Sequence, residues 1–203
     1  MFQWISDNSS TISVVANVAM VLVWVTYLQL LLASYRRQRQ STILINRGAG
    51  STLDARCLVS NMSAEPIYVQ NIIATLKCGE QSWKAAVTDL EDFRSDEIEH
   101  AGEATNQGPL GVGDYADLGR FKYLAWRAAR NAGVEIEDAA KEFDAIELTV
   151  VAAYGPDKYS VAARREYRID NETGNLTPTT LSSIQIRSRR ERREIDRYLQ
   201  QII

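Results

Sequence analysis

From Ile12 to Ala33 the chain reads "ISVVANVAMVLVWVTYLQLLLA", 22 residues without a charge, inside a longer uncharged interval bounded by Asp7 and Arg36. At about 1.5 Å per residue, a helix of that length covers the roughly 30 Å hydrocarbon core of a bilayer. A buried helix of a soluble domain seldom lacks a polar face over so many turns. The pattern therefore predicts a transmembrane helix over 12–34, preceded by a short extracytoplasmic stretch, 1–11. A cleaved signal peptide carries its basic residues ahead of a shorter apolar run. Here Arg36, Arg37 and Arg39 follow the run, in a juxtamembrane segment over 35–40, and the expectation is an uncleaved anchor. The positive-inside rule then puts the N-terminus outside and the rest of the chain in the cytoplasm, with a bacterial inner (plasma) membrane as the expected location. Trp4 and Tyr35 are expected at headgroup depth, where amphipathic rings are favoured.

Within the span, Ser13, Asn17, Met20, Trp24, Tyr27, Leu31 and Ser34 recur at alternating spacings of four and three, the spacing of helix-to-helix packing. Asn17 is costly to leave in lipid, and Trp24 lies near mid-bilayer instead of in an interfacial belt. Both are explained by burial against another transmembrane helix, from an identical or a different chain. The alternative is a tolerated Asn in a lone anchor, since an interhelical hydrogen bond averages only about 0.6 kcal/mol.

Beyond residue 40 the period changes to two. "TLDARCLVSN" alternates Ala55, Cys57 and Val59; "PIYVQNIIATLKC" carries Ile72, Ala74, Leu76 and Cys78; "SWKAAV" gives Trp83, Ala85 and Val87. "AIELTVVAAY" and "YSVAARREYRI" continue the pattern on either side of "YGPDK", which has the composition of a hairpin turn. With "STILINR" and "LSSIQIR" about seven strands are predicted. That number suits a cytoplasmic immunoglobulin-like antiparallel β-sandwich over 41–186, without the Cys and Trp spacing of antibody domains. One helix is expected to interrupt it at about 114–132, capped by Asp114 with Asp117 three residues on, and stopped by Asn131 and Gly133. A short helical turn is expected between Glu135 and Phe143. Arg120, Lys122, Arg127 and Arg130 should lie around the exposed side of the helix, as a solvated face.

Charge refines the picture. The formal net charge is −3, but segment 41–186 holds 14 basic against 22 acidic residues, a balance of −8, while 35–40 and 187–203 each carry +3. Basic ends are drawn to an anionic leaflet and an acidic body is repelled by it, within a Debye length of about 8 Å. Nucleic acid is not expected as a partner, since a binder's positive field would cover a whole face. Cys57 and Cys78, in a reducing cytoplasm, should be free thiols that fill the core.

Candidate chemistry is sparse. "GPLGVG" at 108–113 lacks the Gly-Lys-Ser/Thr ending of a phosphate loop and is read as a turn. Neither H-E-x-x-H nor G-x-S-x-G occurs, and His100 is the only histidine. It lies in "DLEDFRSDEIEHAGE", where Asp89, Glu91, Asp92, Asp96, Glu97, Glu99 and Glu103 follow no EF-hand spacing. Docking of a basic partner and simple solvation both explain that acidic loop better than a metal site does. The C-terminal "RSRRERREIDRYLQQII", 187–203, predicts a basic amphipathic helix with Ile195, Leu199 and Ile202 as its apolar stripe and the pairs Glu191–Arg187, Glu194–Arg190 and Asp196–Arg192. The stripe and the flanking Arg189, Arg190 and Arg193 can close the domain, dock a partner or lie on lipid.

These features together describe a single-pass membrane protein that acts by binding, as an accessory or scaffold subunit of a membrane complex. No cofactor is expected. The competing readings are a membrane-tethered sensor and a metal-dependent enzyme built on loop 89–103 and His100.

Overall fold

The computed structural model describes residues 9–38, 40–88, 105–155, 157 and 159–202. They form two compact units, 1–40 and 41–203. The acidic segment 89–103 with His100, the aromatic Trp4 and the side chains of Arg36, Arg37, Arg39 and Ile202 lie outside the described residues.

The first unit is one helix, α1 (Ser9–Gln38). Its stretch Ser10–Tyr35 is long and apolar enough to cross a membrane. An uncharged stretch dominated by Val, Leu and Ala, with polar residues such as Asn17, Thr26 and Gln29 at isolated positions, has no broad polar face, and every residue from Ser10 to Tyr35 is exposed.

The second unit is mainly antiparallel β. Ten strands occur among the described residues: β1 (Ile43–Arg47), β2 (Arg56–Asn61), β3 (Ile67–Cys78), β4 (Gln81–Ala86), β5 (Gly108–Leu110), β6 (Tyr115–Arg120), β7 (Ala145–Tyr154), β8 (Val161–Ile169), β9 (Leu176–Pro178) and β10 (Ile184–Ile186). The helices are α2 (Phe121–Asn131), α3 (Ala139–Glu142) and α4 (Arg189–Ile202). One sheet has the order β1-β2-β6 and the other β10-β8-β7-β3-β4, with β5 on β3 and β9 on β8. Ile43, Ile45, Cys57 and Val59 from the first sheet join Ile72, Leu76, Leu148, Val150 and Tyr167 from the second in one apolar core.

The period-two reading captures β3 only in part. Ile67 and Val69 face the core, but opposite β7 the register shifts between Val69 and Asn71, leaving Gln70 as an extra residue. A bulge of one residue flips the following side chains, so Ile72, Ala74 and Leu76 now occupy that core. Ile73, on the other face, is also buried, in a second cluster with Val151, Ala162, Ile186 and Ile195. Strands β3, β7 and β8 thus contribute to both clusters, and β7, "AIELTVVAAY", is a nearly continuous apolar run.

Edge strand β1 is closed by side chains instead of by another strand. Ser183 Oγ accepts the Ile45 N–H at 2.6 Å, and Gln185 accepts the Ile43 N–H and donates to its carbonyl at 2.7 Å. The Ile45 carbonyl also accepts from Arg165 at 2.8 Å and from the Tyr167 hydroxyl at 3.0 Å. A strand edge dressed in this way offers no free ladder to a second chain.

Several expectations are corrected. The segment 115–120 is strand, not helix, paired to β2 in the register Val59↔Ala116 and Ser60↔Tyr115. Gly119 has φ +93°, which ends any helix there, and α2 begins only at Phe121. Neither Asp114 nor Asp117 caps it. Instead the Phe121 and Lys122 N–H groups donate to the Ala55 and Leu53 carbonyls at 3.0 and 2.9 Å, so backbone from a distant loop satisfies the helix start. Asp117 accepts from Gly119 N–H and pairs with Arg56. Arg127 is buried, not on the solvated side, and donates to the Val87 carbonyl. Of the two thiols, only Cys57 fills the core; Cys78 is exposed, because it is the last residue of β3 before the Gly79 turn.

Candidate functional site

Two surfaces of the second unit and one of the first are organised enough to consider as sites. On α1, Ser13, Asn17, Met20, Trp24, Tyr27 and Leu31 are all exposed, with Trp24 and Tyr27 in edge-to-face contact at 6.3 Å. Thr26 returns its hydroxyl to the Leu22 carbonyl at 2.8 Å, which removes one polar group from the helix surface. Among the described residues the Asn17 carboxamide has no such local hydrogen bond, and inside a bilayer it would need a partner.

The second surface was not legible as a site in the sequence. Helix α2 puts Phe121, Leu124, Ala125, Ala128 and Ala129 into the core, which turns Lys122, Tyr123 and Trp126 outward. Together with Leu53, Asp54, Ile136, Asp138 and Thr173 they line a groove of about 620 Å³. Its walls are pinned by backbone bonds, Leu53 N–H to the Gly174 carbonyl at 3.0 Å and Leu176 N–H to the Ser51 carbonyl at 2.6 Å. Opposite, Glu142 Oε1 accepts the Glu137 and Asp138 N–H groups at 2.8 and 3.0 Å. Trp126, 40 % exposed, divides this groove from a second concavity lined by Arg130, Val134, Glu135 and Glu142. The signal was present as Tyr123 and Trp126, three apart and off the apolar stripe of α2. Its meaning depends on the helix starting at Phe121, after β6.

The charges in the groove are partly spent on one another. Lys122 reaches Asp54 at 2.5 Å and Arg120 lies at 3.4 Å, and the Lys122 hydrogen bond holds the Asp54 carboxyl below its usual range. Arg130 lies 5.2 Å from the Trp126 ring centre. The remaining rim of Glu135, Glu137, Asp138 and Glu142 is acidic.

The third surface is α4. Its stripe packs on its own domain: Ile195 is buried, and Tyr198 and Leu199 lie against the cluster of Ile73, Val151, Ala162 and Ile186. Tyr198 donates to the Lys84 carbonyl at 2.9 Å, and the Lys84 ammonium sits 4.2 Å from its ring centre. Burial raises the Tyr198 pKa and lowers that of Lys84, the latter opposed by Glu147 and Glu194. Of the expected helix pairs, Arg190–Glu194 is formed at 3.3 Å. Glu191 instead meets Arg164 at 3.8 Å, and Arg192 meets Asp157 at 3.0 Å and donates to the Ile186 carbonyl at 2.9 Å. Arg189, Arg190 and Arg193 point outward.

Among the described residues no catalytic constellation is assembled. The described residues contain no group of three His, Cys, Asp or Glu that could hold a metal ion. The turn at 111–114 is organised by buried Asn61, whose side-chain amide donates to the Leu110 and Gly111 carbonyls at 3.0 and 3.1 Å. Burial pushes the Cys57 thiol far above its usual range, which keeps it protonated and unreactive. Compared with protein-family models, curated proteins and solved structures, the chain matches none of them.

Proposed function

We propose that this protein is a single-pass membrane-anchored accessory or scaffold subunit of a membrane complex, acting by protein–protein interaction and not by catalysis. The observation that carries the reading is α1, a helix apolar around its whole circumference with one file of polar and large side chains, Asn17 and Trp24 among them. An apolar N-terminal helix is compatible with an anchor or a signal sequence. The anchor is favoured by the charge order, with Asp7 before the apolar stretch Ser10–Tyr35 and Arg36, Arg37 and Arg39 after it. In this reading the N-terminus is outside a bacterial inner membrane and the β domain is cytoplasmic. The domain is read as immunoglobulin-like because β1-β2-β6 against β4-β3-β7-β8 follows the strand order A-B-E against C′-C-F-G. The seam takes a transmembrane helix of the partner, and the Trp126 groove takes a basic, apolar-tipped segment of it, complementary to the acidic rim.

The test is co-purification in mild detergent with crosslinking through position 20. Asn17→Leu with Trp24→Ala should lose the partner while still inserting. Unchanged recovery and crosslinking would reduce α1 to a tether. Orientation is read from Cys78, which is exposed and serves as a native reporter. A membrane-impermeant thiol reagent on intact cells should miss Cys78 and label a cysteine introduced at Ser9.

A further inference from the structure

Packing of the apolar stripe decides which side of α4 faces outward, and that side is more uniformly basic than the sequence implies. With Ile195, Tyr198 and Leu199 against the sheet and Arg192 drawn to Asp157, the residues left exposed are Arg187, Arg189, Arg190, Arg193, Glu194, Arg197, Gln200 and Gln201. Arg190, Arg193 and Arg197 follow one another at helical spacing. The three acids of the helix do not neutralise this line. Glu191 is half-buried beside Arg164, Asp196 is half-buried, and only Glu194 is fully on the face, where it binds Arg190. Arg187, Arg189 and Arg193 form no ion pair among the described residues. The body that carries this face, segment 41–186, has a balance of −8.

We propose that the outward face of α4 is a docking surface for an anionic phospholipid leaflet, held by guanidinium–phosphate hydrogen bonds without insertion of apolar side chains. The proposal rests on the membrane-anchored reading, because tethering supplies the high local concentration that turns a weak charged contact into a lasting one. Arginine suits phosphate oxygens, to which its planar fork presents paired donors. A protein partner fits less well, since the described residues of the face include no aromatic or aliphatic side chain to anchor an interface core. Nucleic acid fits less well too, because the positive field is confined to one helix line on an acidic body.

The experiment uses the full chain in nanodiscs of phosphatidylcholine alone or mixed equally with phosphatidylglycerol. A fluorophore is placed at Gln200→Cys in a Cys78→Ser background, which leaves buried Cys57 untouched, and headgroup-labelled lipid serves as quencher. Quenching should be several-fold stronger in the anionic discs, fall to the neutral level in high salt, and be lost in Arg189→Glu, Arg190→Glu, Arg193→Glu, Arg197→Glu. The neutral Arg→Gln counterpart, which keeps Arg192 and Ile195 in place, should lose most of it as well. Equal quenching in both lipids, or quenching that survives charge removal, overturns the proposal. So does an unquenched label that added RNA or an acidic protein shields instead. Release of the chain from the discs by alkaline extraction breaks the anchor reading and this proposal together, whereas retention without lipid-dependent quenching breaks this proposal alone.

Discussion

In α1 the apolar side chains run round the whole circumference and stay exposed, whereas α4 gathers its few into one stripe and buries Ile195 against its own domain. Both are regular helices of more than three turns, and composition alone marks both as helical. The difference lies in what can satisfy them. A stripe needs one apolar face, and the outer face of β3, β7 and β8 provides it. A helix that is apolar all round cannot be satisfied by a single flat contact and calls for an apolar surround.

That contrast can be broken most decisively on α1. Val21→Arg with Val23→Arg costs roughly 2.5–3.5 kcal/mol per charge at mid-span. The chain should leave the membrane pellet after alkaline extraction, and if it stays there, α1 does not anchor it. Next in size, Ile195→Ala should lower the unfolding free energy of the domain by roughly 2–4 kcal/mol in a urea titration. Leu22→Ala in α1 should leave that value unchanged, and an equal loss from both would erase the distinction between the helices. Arg192→Met removes an ion pair that is only 13 % exposed on the arginine side, together with a bond to the Ile186 carbonyl. A loss of about 1–2 kcal/mol is expected, with α4 more open to proteolysis than the rest of the domain.

The smallest effect concerns pH. Tyr198 has a folded pKa above its ordinary value because burial disfavours the phenolate. Its contribution is therefore fully present below the unfolded tyrosine pKa and is lost as pH rises through the folded one. Lys84 works in the opposite direction, since its lowered pKa means that deprotonation relieves a desolvation cost. Its partial exposure weakens that term. Alkaline loosening of α4 should thus be shallow, and Tyr198→Phe should remove the falling limb. A limb that persists in the Phe variant would assign it elsewhere.

The sequence made α1 readable because an unbroken apolar run has a single signature. It also made β7 and β8 readable as strands, and β3 on either side of its bulge, because apolar positions recur there at period two. Residues 114–120 depart from the helical expectation for a physical reason: "DYADLGR" contains an acidic cap pattern, but 115–120 pair with β2 and the helix starts only where the Phe121 and Lys122 N–H groups meet the distant Ala55 and Leu53 carbonyls. Short β5 and β9 carry no periodicity of their own and exist only because β3 and β8 offer them an edge. Arg127 has the sequence signature of a surface charge, and its burial depends on the Val87 carbonyl, which accepts its hydrogen bond from 40 residues away. Of the surfaces, the α1 seam and the arginines of α4 were visible as residues. The groove was hidden, since its walls are some 70–120 residues apart in the chain and meet only in the folded domain, through backbone bonds and the Lys122–Asp54 contact.

The sealed edge of β1 has a consequence for how the protein is made. Its strand is the first of the domain to leave the ribosome, yet the groups that complete it arrive last: Arg165 lies 120 residues later than Ile45, and Gln185 lies 142 residues later than Ile43. Until those residues are synthesised, Ile43 and Ile45 present an apolar strand with bare amides, and at translation rates of roughly 5–20 residues per second that interval is on the order of ten seconds. A nascent chain stalled before residue 165 should therefore be a strong substrate for chaperones, and the chain released from the ribosome should not.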